Sequence, residues 1–120
     1  MITFEQISAL FSFNTQKKFC VEILFKIDES EKFDWCWMGK LWSDNESKDV
    51  YWYGLTEDGN GAYDFDTFEE MSAAPVFDGL NLKEVWPKIT IRSIDGCDPL
   101  ERLSDYLGDN DNMLMLGTPQ

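Results

Sequence analysis

Apolar residues recur along this chain with two different periods. Phe19, Val21, Ile23, Phe25 and Ile27 alternate with polar positions such as Glu22 and Lys26, the two-residue period of a strand with one buried face. Aromatic-rich runs follow from Phe33 to Trp42 and from Val50 to Leu55, separated by the polar stretch Ser43-Asp44-Asn45-Glu46-Ser47-Lys48, so they predict neighbouring antiparallel strands. The turn-forming Glu57-Asp58-Gly59-Asn60-Gly61 leads into a short strand from Ala62 to Phe65, and Lys88 to Ile94 predicts one more.

The longer period marks helices. Phe4, Ile7 and Phe11, and again Leu100, Leu103 and Leu107, fall on i, i+3, i+7 stripes. Four helix starts carry a capping residue followed three places later by Glu or Gln: Thr3/Gln6, Asp66/Glu69, Asn81/Glu84 and Asp98/Glu101. Ile2 against Ile7 and Leu80 against Val85 supply hydrophobic staples, Pro99 favours the fourth start, and Pro87 keeps the third helix short. The expected order is α-β-β-β-β-α-α-β-α. Short links between consecutive strands predict an α+β fold, an antiparallel meander of four to five strands with helices packed on one face. Residues 1–108 make one domain, and 109–120, beyond Gly108, read as a loosely ordered tail.

Charge changes this picture more than composition does. The net charge is −13 over 120 residues. It is regional: residues 49–82 hold eight acids and no base, while 83–94 carry a small positive excess. Such a field disfavours nucleic acid and anionic membrane, and favours a basic protein partner. The candidate docking acids are Glu57, Asp58, Asp64, Glu69, Glu70 and Asp78. Tyr51, Trp52 and Tyr53 beside them supply apolar contact area. Because successive strand residues point to opposite sides, some of Trp35, Trp37, Trp42, Tyr51, Trp52 and Tyr53 must face away from the helices.

Candidate chemistry is sparse. The chain has no histidine, which closes the serine–histidine and cysteine–histidine routes and the commonest metal site. Cys20, Cys36 and Cys97 lack the spacing of a zinc site or a disulfide framework, and read as reduced thiols of a cytoplasmic protein. No leader-like or 18-residue apolar segment points to secretion or membrane spanning. The stretch from Asp58 to Phe68 resembles part of a calcium loop, yet aligning Gly61 with the invariant glycine puts Thr56 and Thr67 at ligand positions, and a strand-like segment enters it. Asp64 and Asp66 form a carboxylate pair, but Asp66 already reads as a helix cap. The expectation is a non-catalytic protein with no cofactor and no metal.

In size, acidity and layout the chain resembles the small immunity proteins that neutralise bacterial toxins. The segment Asp58-Gly59-Asn60-Gly61 through Asp64-Phe65, then Thr67-Phe68-Glu69-Glu70-Met71, is similar to the SMI1/KNR4-like immunity superfamily, where a Gly-rich turn and strand precede a capped helix. The resemblance implies an inhibitor whose acidic face occludes a basic toxin such as a nuclease. The alternative is an accessory domain that takes a small ligand in an aromatic sheet-face pocket, ahead of a carboxylate enzyme or a calcium protein.

Overall fold

The computed structural model describes residues 2–12, 20–57 and 60–108. Helix α1 (Phe4–Ser12) is followed by strands β1 (Val21–Ile27), β2 (Cys36–Ser43), β3 (Lys48–Gly54) and β4 (Ala62–Phe65), helices α2 (Phe68–Ala73) and α3 (Leu82–Val85), a 3-10 turn at Trp86–Lys88, strand β5 (Ile89–Ile94) and helix α4 (Pro99–Leu107). This is the α+β order expected from the pattern. The strands form one antiparallel sheet in the order β4-β3-β2-β1-β5. Four strands run as a meander, and β5 returns to the far side of β1.

The registers fix which residues share a face. Val21, Ile23 and Phe25 stand opposite Lys40, Met38 and Cys36, and Lys40 and Met38 stand opposite Tyr51 and Tyr53. These inner-face residues, Lys40 apart, join Ile7, Leu10 and Phe11 of α1, Phe68 and Met71 of α2, Leu82 and Val85 of α3, and Leu103 and Leu107 of α4 in one core. The hydroxyls of Tyr51 and Tyr53 donate to the carbonyls of Phe11 at 3.5 Å and Met71 at 3.0 Å, tying α1 and α2 over that face. All four helices therefore pack on one side. Every strand residue of the core comes from the inner face, so the alternation in β1 to β3 is the direct consequence of one-sided burial.

Local chemistry sets the helix starts. Thr3 and Gln6 exchange side-chain and backbone hydrogen bonds at 2.9 and 3.1 Å, and Asn81 and Glu84 form the same reciprocal box at 2.9 Å both ways. Asp98 caps α4 through the Glu101 N–H, with Pro99 in the first turn. The second start differs from expectation. The cap is Thr67, whose hydroxyl accepts from the Glu70 N–H at 3.0 Å, because the chain stays extended through Phe65 and Asp66 is drawn instead to Lys48, 2.7 Å away. Leu80 has a backbone role as well. It closes a tight turn with Phe77 across Asp78 and Gly79, both at positive φ, and is 46% exposed. Asp58, Gly59, Phe19 and the segment 109–120 lie outside the described residues.

Candidate partner-binding faces

The outer face of the sheet is the side opposite the helices. Its positions alternate with the core residues: Glu22, Leu24 and Lys26 on β1, Trp37, Gly39 and Leu41 on β2, Lys48, Val50 and Trp52 on β3, and Ala62 and Asp64 on β4. Leu24 is 8% exposed yet stands outside the main core, because its neighbours across the strands are Trp37 and Ser93. A second, thinner apolar layer thus lies on this side. Gly39 is the residue that lets it form. A Cβ there would come within 2.6 Å of the Trp52 ring and 2.3 Å of the Val21 carbonyl, so the indole lies against the glycine.

Much of this layer meets solvent. Trp35, just before β2, is 48% exposed and Leu41 41%, while Trp37, Val50 and Trp52 are half-buried. The Arg92 guanidinium sits 5.3 Å from the Trp35 ring centre and 3.5 Å from Asp34, which holds the ring at the margin. Among the described residues no helix crosses the face.

Of the three aromatic residues expected to bind a partner, only Trp52 is on this face. Tyr51 and Tyr53 are core residues, 5% and 2% exposed, because period two obliges them to oppose Trp52. Burial raises the pKa of both hydroxyls, with Asp49 adding to the effect at Tyr51. Leu41, Trp35 and Trp37 lie outside the set of binding residues that the sequence pattern predicts. Pairing Gly39 with Trp52 in register would have found them, since Trp37, Leu41 and Trp52 then share one side.

The acids of 49–82 do not form one face. Asp49 points inward, 3.3 Å from the buried Lys40 amine. Asp78 sits at the tip of its turn beside Lys32. Asp66 and Glu46 bracket Lys48 at 2.7 and 2.9 Å and hold its amine above the ordinary range, Asp66 contributing more. Glu57 lies at the other end of the sheet, in a cleft with Glu31, Asp34 and Trp35. What remains together is Asp64, Asp66 and Glu70, joined by Glu46 from outside the run, around a hollow of about 180 Å³ at the β3–β4 margin that Lys48 also lines. Glu69 is exposed on α2, and Asp58 is outside the described residues. The acidic margin is therefore smaller than the run of residues suggests, and it borders the outer face through Asp64.

Titratable groups inside the fold are set by burial and hydrogen bonding. Burial, helped by the charge of Asp34, pushes the Cys36 thiol up to about 12, and its Sγ donates to the Leu55 carbonyl at 3.5 Å, which suppresses thiolate chemistry. Cys20 and Cys97 are exposed free thiols. Asp95 is a junction: it accepts from the Glu22 N–H at 2.8 Å, from Arg102 Nε at 3.0 Å and from the Tyr106 hydroxyl. Burial first and this bond second push Tyr106 up to about 12. Among the described residues no group of three or more Cys, Asp or Glu side chains could hold a metal ion, and no helix is long and apolar enough to cross a membrane. The segment entering the calcium-like loop is strand β3.

No protein-family model, curated protein or solved structure matches the chain. The functional reading therefore rests on the geometry of these faces.

Proposed function

We propose that this chain is a non-catalytic protein-binding domain that docks a basic protein on its open sheet face, as an immunity-type inhibitor docks a cationic toxin. The observation that carries the reading is the outer face itself, where Trp35, Trp37, Trp52 and Leu41 stand uncovered by any described helix. Indoles on a sheet supply rigid contact area at small entropic cost and are the residue type most enriched among binding hot spots. An apolar patch rimmed by polar residues is the usual form of a docking surface. The charge supports a cationic partner. Three bases on or beside the face have carboxylate neighbours: Lys26 lies 4.0 Å from Asp28, Lys48 contacts Glu46 and Asp66, and Arg92 shares its charge with Asp34. Glu22 and Asp64 then add negative potential at opposite margins. Two exposed free thiols suit a reducing compartment such as the cytoplasm.

The test is kinetic. The protein encoded beside this chain's gene is purified and its binding followed by biolayer interferometry at low and high salt. Trp52→Ala with Leu41→Asp should accelerate dissociation about tenfold or more. Asp64→Lys with Glu70→Lys should slow association and flatten its salt dependence. Binding that survives both double variants unchanged refutes the face.

A further inference from the structure

Strand β5 is the outermost strand on its side of the sheet, and part of its free edge is open. The Asp28 N–H donates to the Lys88 carbonyl at 2.8 Å, which makes Ile27 and Ile89 a non-hydrogen-bonded pair. By the antiparallel alternation, Thr90 directs its backbone groups at β1, and Ile89 and Ile91 direct theirs away. The Ile89 N–H is used by the Trp86 carbonyl. Farther along, Ile94 is engaged by Cys97 across the Asp95-Gly96 turn. Between these two covered points the Ile89 carbonyl and both polar groups of Ile91 face outward, and among the described residues no strand pairs with them.

Beside this edge runs a mainly apolar cleft of about 280 Å³, walled by Ile89, Thr90 and Ile91, by Ile2 and Trp86, and by Pro99 and Leu100 at the start of α4. Leu100 is 53% exposed. Its one carboxylate, Asp98, is occupied in capping α4. Lys88, at the end of the 3-10 turn, and Thr90 and Arg92 of β5 are exposed, in the stretch 83–94, which carries an excess of bases. Arg92 is shared with Asp34 at 3.5 Å, and Asp28 takes the Thr90 hydroxyl at 2.7 Å.

We propose that the free edge of β5 is a second docking site, separate from the outer face, which takes an extended segment of a partner protein as a sixth strand. Outward backbone groups specify a backbone as the occupant. Apolar residues of the added strand then lie beside Ile89 and Ile91, over the cleft, and acidic residues lie toward the exposed Lys88, at the end of the 3-10 turn, and Arg92, at the bulge between the partners of Phe25 and Leu24. Self-pairing of β5 through the Ile89 carbonyl and the Ile91 N–H sets Lys88 against Arg92 twice, and like charges directly opposite are destabilising; self-pairing centred on Ile91 sets Thr90 against Arg92 and is the competing occupant that sedimentation distinguishes.

The probe is a capped heptapeptide alternating Asp with Leu, compared with a Lys/Leu alternation and with a blocked sequence of the same Asp and Leu content. Titration followed by amide exchange should show the Asp/Leu alternation slowing exchange at Ile91 about tenfold or more, with both controls at least about tenfold weaker in affinity. Ile91→Pro removes the donor and should abolish binding while circular dichroism reports the fold. Lys88→Glu with Arg92→Glu, both on the surface, should reverse the preference toward the Lys/Leu peptide. Failure of the alternating peptide to protect Ile91 overturns the proposal, as does equal binding of the blocked peptide. Sedimentation showing a dimer whose formation protects Ile91 overturns it in favour of self-pairing.

Discussion

Lys40 and Asp49 form an ion pair inside the fold, with Nζ 3.3 Å from Oδ1 and side chains 0% and 8% exposed. They sit diagonally across β2 and β3 on the inner face, since Lys40 opposes Tyr51 and Asp49 opposes Trp42. A buried pair is a modest contributor as a whole, but removing one member strands the other charge. Lys40→Met and Asp49→Leu should each lower unfolding free energy by about 3–5 kcal/mol, and the double substitution should recover most of that loss. Urea denaturation of the four proteins measures it. Additive single losses would show that the two charges do not depend on each other.

Asp95 joins three elements through a single side chain. It holds the start of β1 through the Glu22 N–H and holds α4 through Arg102 and Tyr106, from a turn position with φ of 53°. Asparagine tolerates that backbone and keeps one acceptor, but it loses the charge that strengthens all three bonds. Asp95→Asn should cost about 1.5–3 kcal/mol. Amide exchange should quicken first in α4, whose attachment it is, with β2 and β3 unaffected; uniform loss of protection would contradict this local role.

These two interactions mark where the amino-acid pattern stops being readable. Strand and helix positions are legible because burial on one face imposes period two on Val21 to Ile27 and period 3.6 on Leu100 to Leu107. The sidedness of the aromatic set is not legible from either period alone. That Tyr51 and Tyr53 oppose Trp52 follows from alternation, but which side the helices cover depends on pairing between distant strands, and a lysine on the inner side of β2 obscures the answer. The acidic run misleads for a related reason. Residues 49–82 are contiguous in the chain, but Lys40, Lys48 and Lys32 come from other segments to neutralise Asp49, Asp66 and Asp78. The cap at Thr67 in place of Asp66 is the same effect at short range.

Alkaline pH should weaken the fold, and the sign follows from proton uptake. Cys36 is raised from 9.0 to about 12 and Tyr106 from 10.0 to about 12 in the folded protein, with Tyr53 raised as well. The unfolded chain loses these protons first, so the stability they contribute is complete below about pH 9 and is lost as pH rises toward 12. The slope is about 1.4 kcal/mol per pH unit for each group titrating only in the unfolded state. Urea midpoints from pH 7 to 11 should be level and then fall, and Cys36→Ala should delay the onset to about pH 10. A thiol reagent at pH 8 should label Cys20 and Cys97 in the native protein and reach Cys36 only on unfolding; rapid native labelling of all three would contradict the burial of Cys36.

Gly39 and Trp52 separate stability from recognition on the outer face. A methyl at position 39 meets the Trp52 ring at 2.6 Å and the Val21 carbonyl at 2.3 Å. The ring can swing aside, but the carbonyl belongs to the sheet and cannot. Gly39→Ala should therefore destabilise by about 1–3 kcal/mol, the usual cost of overpacking. Combining it with Trp52→Ala should cost less than the two single changes together, because one of the two obstacles has gone. Strict additivity would mean that the indole does not rest on the glycine. Trp52→Ala alone exposes Gly39 and the strand beneath it while leaving the inner core of Tyr51 and Tyr53 intact, so its effect on urea midpoint should be small beside its effect on partner dissociation. A variant that unfolds readily yet binds as tightly as the parent would assign Trp52 to the structure of the sheet and take it out of the docking surface.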